Sequence, residues 1–537
     1  MNAPIKRVAD RLATALSKIG VKDIWGVPGG TISPVVDACR IAGFGIQTCV
    51  NETTAAYLAA GVSAMGGVGV VYVTSGPGAL GALPAIAAAH QDGHALLVLV
   101  GDIKSKERGL GVIQDHSAGG LRMQQVMGAL AKASYRIEQP RHAEFLVHRA
   151  WQEACSGNPG PVILECPMDV LMAISFEPHL DVELPVPDLR VPKLALRRFA
   201  KGAQGDCVLA LGAGAVARGV QAELVLAAAE VLDAEVVCEP EARGLMDERH
   251  PRYAGRLGIG GAGEGLRAMQ SAGNVISLGC RFDDTVTGGS KGGWRPGGAW
   301  LQVDIDVRRL GRSGGPDLAW LACPRAVLES LAGDTVATPW VRGPTLLTDW
   351  DPSCPRSILS HLHAGPGKGV RSWVSDIGNH FLFLAESAHF RAGERLLVSM
   401  GLGGMGSGIG MSMGVARQTG ERTVLVVGDG GLRMFGNELL TAARLGLPLT
   451  VVVLDDQGLG MVRQGTKQIF GATPEFDQGP WQACMWSESL GIPARRVVDM
   501  EDLAWGFAGG PRLLHCRIDP EIRAPTPRFK MKRGGTA

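Results

Sequence analysis

The sequence predicts an α/β protein made of doubly wound parallel sheets in three domains. Three observations point there. Nine short runs are almost continuously apolar and rich in β-branched residues, as parallel strands covered on both faces should be. Ala- and Leu-rich helical stretches lie between them, giving a repeated α/β rhythm. Two Pro-rich shifts in composition, at 177–195 and 338–370, divide the 537 residues into blocks of domain size.

Taken in order, Val8, Leu12, Leu16 and Ile19 recur at helical spacing, so an amphipathic helix opens the first block. Strands follow at Val68–Val73, Ala95–Val100 and Pro161–Leu164, with a helix over Leu80–His90. The second block carries strands at Cys207–Leu211, Val236–Cys238, Asn274–Leu278 and Trp300–Ile305. The third carries Thr423–Val427 and Leu449–Leu454, with a helix over Glu438–Leu445. Domains are expected at 1–180, 190–340 and 350–537.

Composition narrows the function. Basic and acidic residues balance, 53 against 52, so no nucleic-acid footprint is expected. No run of 18 apolar residues predicts a membrane span, and the N-terminus lacks the apolar core of a secretory signal. Eleven scattered cysteines without a C-x-x-C pair suggest reduced thiols and a cytoplasmic protein. Glycine is abundant, 76 residues, about twice the usual share of roughly 7%.

Some of that glycine forms loops that imitate a dinucleotide fingerprint. Gly212-Ala-Gly214-Ala-Val-Ala217 follows a predicted strand with Glu239 downstream. Gly401-Leu-Gly403-Gly-Met-Gly406 is followed by Glu421. A third, Gly258-Ile-Gly260-Gly-Ala-Gly-Glu-Gly265, follows no clear strand. Alone they would suggest NAD, although chance matches are expected in so glycine-rich a chain.

Residues 423–458 carry a sharper signal. One strand runs into Gly428-Asp429-Gly430-Gly431, and a second ends at Asp455-Asp456. Adjacent parallel strands end side by side, so Asp429 and Asp456, 27 residues apart, should meet at the ligand-binding edge. Two carboxylates with glycine amides beside them suit Mg2+ and a phosphorylated ligand. The alternative is that each Asp only caps a helix or turn.

Gly-Asp-Gly followed by an oxygen ligand at this distance resembles the thiamine diphosphate (ThDP) motif. The resemblance implies that Asp429, Asp456 and the carbonyl of Gly458 bind the metal on the diphosphate, with Gly430 and Gly431 beside it. Asp456 stands where the family usually has Asn. Val50-Asn51-Glu52-Thr53-Thr54 resembles the turn that carries the family's glutamate, with Asn51 in place of the usual His. A carboxyl group at Glu52 would hydrogen-bond the aminopyrimidine and drive its tautomeric shift. In Gly403-Gly404-Met405-Gly406, Met405 matches the wedge that bends the cofactor, and the Gly403 carbonyl would accept from its amino group.

Within that superfamily the chain is most similar to the acetolactate synthase catalytic subunit, along nearly its whole length. GVPGGTISPVVDA (26–38), TSGPGA (74–79), RFDDTVTGG (281–289) and GLGMVRQ (458–464) carry the likeness. It implies pyrimidine-binding, central and diphosphate-binding domains. It also implies a homodimer or homotetramer with shared active sites, in which Glu52 of one subunit serves another's cofactor. The reaction implied is decarboxylation of a 2-oxo acid and transfer of the acyl-anion equivalent to a second carbonyl. Simple decarboxylation is the alternative, and an NAD-binding or inactive member the remote one. Gln114 and Lys132 match channel residues. Among nearby titratable groups (His90, Asp92, His94, Asp115, His116 and His380), His116 and His380 could protonate or orient an intermediate. Gly465 replaces the family's Trp after MVRQ, so the acceptor pocket should be more open. Gly255-Arg-Leu-Gly258-Ile-Gly-Gly261 lacks the His of the family's flavin-contacting stretch, which leaves FAD binding open.

Overall fold

The structure is a computed structural model that describes residues 6–175, 193–201, 206–261, 263–287, 294–338, 340, 347, 349–471, 476 and 478–525. Most of the expected 177–195 linker, parts of 338–370, and the basic C-terminal segment from 526 lie outside the described residues.

Three six-stranded sheets, every pairing parallel, form the frame. The first runs Gly45–Thr48, Asp23–Gly26, Gly69–Val73, Leu96–Asp102, Pro161–Pro167, Ala133–Arg136 from edge to edge. The third runs Arg395–Leu397, Ser372–Ser375, Thr423–Gly428, Leu449–Asp455, Arg512–Arg517, Ala494–Arg496. Numbered by sequence, both follow the order 2-1-3-4-6-5. The second runs Tyr253–Arg256, Ala234–Cys238, Cys207–Leu211, Asn274–Leu278, Ala299–Asp304, Leu318–Leu321, the order 3-2-1-4-5-6. That is the dinucleotide-fold order.

All nine expected strands are present within one or two residues at most ends, and the central ones extend further at their C-termini. The expected helix Leu80–His90 is instead two, Pro77–Gly81 and Leu83–Asp92. Pro84 explains the break, because it cannot donate an N–H to the preceding turn. A strand, Tyr253–Arg256, does precede the third glycine loop.

The first and third sheets share one apolar core. Helices Glu52–Ala64 and Ser407–Thr419 join them at close range. A Cβ on Gly61 would fall 2.2 Å from the Met411 carbonyl oxygen, and one on Gly414 would fall 2.0 Å from that of Leu58. Only glycine allows these backbones to approach so closely.

Candidate active site

Register builds the site. Strand Thr423–Gly428 pairs with Leu449–Asp455 so that Gly428 lies beside Leu454. The next residues of each strand therefore emerge together at the C-terminal edge. Strand Ser372–Ser375, on the other side, delivers Asn379 and His380 to the same edge. The cavity formed there has a volume of about 250 Å³ and is lined by His380, Gly403, Met405, Asp429, Gly430, Gly431, Asp456 and Gly458 among others. Eight of the twelve residues singled out in the sequence thus meet in one place.

Its electrostatics suit a cation. Asp429 is 1% exposed, and its Oδ2 has no hydrogen-bond partner. Burial, then Asp455 and Asp456, push its carboxyl up to about 7. Asp456 is also raised, by burial, while Arg463 opposes the shift from 3.0 Å. Two clustered carboxylates with an orphan oxygen are a donor set that a hard cation would complete. His380 is buried, with Nε2 unpartnered, and burial lowers it to about 4. It is therefore neutral at pH 7.

The loop that carries Met405 is held by a residue sequence reasoning missed. Buried Asp376 accepts from Gly406 N (2.8 Å), Gly408 N (3.1 Å) and Ser407 Oγ (3.3 Å). It caps helix Ser407–Thr419 from another strand's end and so sets the glycine loop in front of it. Burial raises its carboxyl to about 6 against the pull of those amides. Only the likeness of residues 375–380, SDIGNH, to the family's corresponding stretch could have flagged it.

The other four predicted residues stand on the first sheet's loops and do not line this cavity. Glu52 starts its helix, packed beneath Gly78 and Gly81. Asn51 acquires a reason: its Oδ1 accepts from Thr54 N at 2.9 Å and caps that helix. Glu438, also missed, accepts from Val50 N, Asn51 N, Thr54 Oγ1 and Thr441 Oγ1, and so ties the turn to the third sheet. Gln114 is held at φ 62°, its carbonyl accepting from Ser75 Oγ. His116 accepts from Gly76 N (3.1 Å) at Nε2, and its Nδ1 lies 3.3 Å from Asp102 Oδ1. The Lys132 ammonium is spent on the Ser156 carbonyl, Ser156 Oγ and Asn158 O, three acceptors for its three protons. Asp92 accepts from Ser399 Oγ and Gly401 N, which makes it a joint between sheets.

The central sheet tells a different story. Glu239, at the spacing of a ribose-binding acid, turns back on the glycine loop. Its Oε1 accepts from Arg281 N and Phe282 N, both at 3.0 Å. A Cβ on Gly212 would lie 2.5 Å from its Oε2. Burial, then Glu241, raise this carboxyl to about 8.

This geometry gathers two buried carboxylates, an unpartnered oxygen and a glycine loop in one cavity at the C-terminal edge of the third sheet. The chain belongs to the thiamine pyrophosphate enzyme family. That family's N-terminal TPP binding domain matches residues 6–126, its central domain 202–331 and its C-terminal TPP binding domain 376–508. The chain is 29% identical to the acetolactate synthase isozyme 2 large subunit of Escherichia coli K12, over 94% of each chain. It is 30% identical to the isozyme 3 large subunit of that strain, over 86% of this chain and 84% of the relative. A probable acetolactate synthase large subunit of Methanocaldococcus jannaschii is 27% identical over 96% of this chain and 93% of the relative. Among solved structures, the thiamine diphosphate-dependent 4-hydroxybenzoylformate decarboxylase of Rhodococcus jostii RHA1 aligns with a TM-score of 0.84. It covers 96% of this chain and 99% of that one at 20% identity, a likeness of fold alone. The chain is thus a thiamine diphosphate-dependent enzyme that forms or cleaves C–C bonds. No helix among the described residues is long and apolar enough to cross a membrane.

Proposed function

We propose that the chain is a carboligase of the acetolactate synthase type, which decarboxylates a 2-oxo acid and transfers the acyl-anion equivalent to a second carbonyl. The observation that carries this reading is the likeness to acetolactate synthase large subunits along nearly the whole of both chains, with Asp429 and Asp456 in one cavity. Asp429, Asp456 and the Gly458 carbonyl would hold Mg2+, and the amides of Gly430 and Gly431 would meet the diphosphate. When bound, thiamine diphosphate supplies a nucleophilic carbon and an electron sink for decarboxylation. Met405 and Gly403 line the cavity, where the Met405 side chain would press against the bound cofactor and the Gly403 carbonyl would accept from its amino group. Neutral His380 offers a hydrogen bond without adding charge.

Glu52 would serve the cavity of a second protomer, where its carboxyl group would hydrogen-bond the aminopyrimidine of the cofactor and supply an acid–base group there. Gln114 joins that shared channel, and His116 holds Gly76 beside it. Leu110 and Ile113, 73% and 86% exposed in the single chain, precede Gln114 on the same loop and offer apolar surface for a second copy to cover. A homodimer is the smallest active unit and a homotetramer the expected assembly. Eleven unbridged cysteines support a cytoplasmic setting. Domain limits of 1–180, 190–340 and 350–537 would enclose one six-stranded sheet each.

The reading carries no flavin. The Glu239 carboxyl group accepts from the two amides at 281 and 282 and faces the glycine loop where a dinucleotide's phosphates would lie. A buried acid there does not fit FAD or NAD.

The test is to offer 2-oxo acids singly and in pairs, reading CO2 and product mass together. A product joining two substrate carbons supports carboligation. Aldehyde alone replaces it with simple decarboxylation, and absence of CO2 release removes both.

A further inference from the structure

The central sheet binds the third sheet's helix through two buried guanidinium groups. Arg243 follows strand Ala234–Cys238, and Arg256 ends the edge strand Tyr253–Arg256. They share one buried carboxylate. Arg243 Nε lies 2.5 Å from Glu248 Oε1 and its Nη2 2.9 Å from Oε2, while Arg256 Nη2 lies 2.8 Å from Oε2. Two cations against one anion leave a net positive charge with donors to spare.

Apart from a bond from Arg256 Nη1 to the Gly260 carbonyl (3.1 Å), those donors go to one place. Arg243 Nη1 donates to the Ala385 carbonyl (2.7 Å) and Nη2 to that of Ala388 (2.6 Å). Arg256 Nη1 donates to Ala385 O (2.8 Å) and Glu386 O (3.0 Å), and its Nη2 to Ala388 O (3.1 Å). These carbonyls belong to the C-terminal end of helix Asn379–Ser387, where the last turn leaves acceptors unpaired and the helix dipole is negative. The other end of the same helix delivers Asn379 and His380 into the Asp429 cavity. Nine residues of helix make a short rigid rod, about 13 Å long at 1.5 Å per residue.

We infer that Arg243 and Arg256 are positioning residues: by gripping the C-terminal carbonyls of helix Asn379–Ser387, the central sheet sets where Asn379 and His380 stand in the cofactor cavity. The inference rests on the cofactor reading above for its functional consequence, not for its geometry. It gives the central sheet a task that needs no ligand of its own.

Three measurements on the full-length protein test it. In the cofactor-free protein, Arg256→Gln should speed amide hydrogen exchange over 380–388, with strands Thr423–Gly428 and Leu449–Asp455 unchanged. In the holoenzyme the variant should lose about 10- to 100-fold in ThDP affinity, read by tryptophan fluorescence with Mg2+ present. Its kcat should fall with it while the KM for the 2-oxo acid holds, and Arg256→Lys should recover part of each. Arg243→Lys is the milder companion should Arg243→Met not fold. Unchanged exchange over 380–388 overturns the inference, as does a drop in melting temperature with parental ThDP affinity. If the parent itself binds no ThDP, the cofactor reading fails while the exchange result still judges the grip.

Discussion

Arg463 Nη2 lies 3.0 Å from Asp456 Oδ2, so the carboxylate that replaces the family's Asn brings its own counter-charge. Gly460 makes room for it, since a Cβ there would fall 1.7 Å from the same oxygen. Asp456 and Arg463 together present the cavity with the charge a neutral Asn would.

That pairing predicts non-additivity. Arg463→Gln should weaken ThDP binding in the parent, because it removes the nearest counter-charge from the Asp456 carboxylate and leaves only the weaker pull of Arg517 and the Gly458 amide. In an Asp456→Asn background the same change should matter little. A double-mutant cycle on calorimetric ThDP affinities should return a coupling of about 0.5–3 kcal/mol. Additive losses would separate the two residues.

Glu52 and Asp429 should fail in different ways. Glu52→Gln should cost about 100- to 10,000-fold in turnover, as for a lost proton-transfer group, while ThDP still binds. Asp429→Asn should lose the metal and ThDP together. Turnover assays and binding titrations on the same preparations distinguish the two defects.

Glu239 makes stability depend on pH. Its carboxyl stands at about 8 when folded, above the unfolded value of about 4.3. A raised carboxyl favours the protonated form, so the folded protein loses stability as pH climbs between those values and no further above. Glu239→Gln, whose amide oxygen can still accept from residues 281 and 282, should therefore raise the melting temperature far more at pH 8 than at pH 5. Calorimetry across that range checks it, and a constant difference would refute it. Denatured parent protein should release no flavin absorbance.

Gly465 leaves open space, with nothing within 4 Å of where its Cβ would be. Gly465→Trp should fold at least as well, because glycine is a poor residue inside helix Gly460–Phe470. An indole there would add apolar contact on the acceptor side. Competition between pyruvate and 2-oxobutyrate as acceptors should shift toward 2-oxobutyrate by about tenfold.

What the sequence disclosed follows from burial. Central strands such as Leu449–Asp455, wholly buried, announce themselves as apolar runs. Edge strands such as Gly45–Thr48 and Ala494–Arg496, partly exposed and polar, carry no such pattern. Ser372–Ser375 is buried yet half serine, and it escaped for that reason. Asp429 and Asp456 were legible because one strand–helix–strand unit fixes their spacing. Asp376 and Glu438 were not, because they act through backbone amides and hydroxyls supplied by distant segments, which no local spacing records. Glu239 misled: its spacing matches a ribose-binding acid, and only the fold shows it spent on its own chain.

The most direct test is stoichiometric. With the holoenzyme and its best single 2-oxo acid, substrate consumed is measured against CO2 released. Carboligation between two molecules of the acid predicts two consumed per CO2, with one C–C-bonded product and almost none from Glu52→Gln. One consumed per CO2 with free aldehyde, or undiminished turnover by Glu52→Gln, would contradict the account.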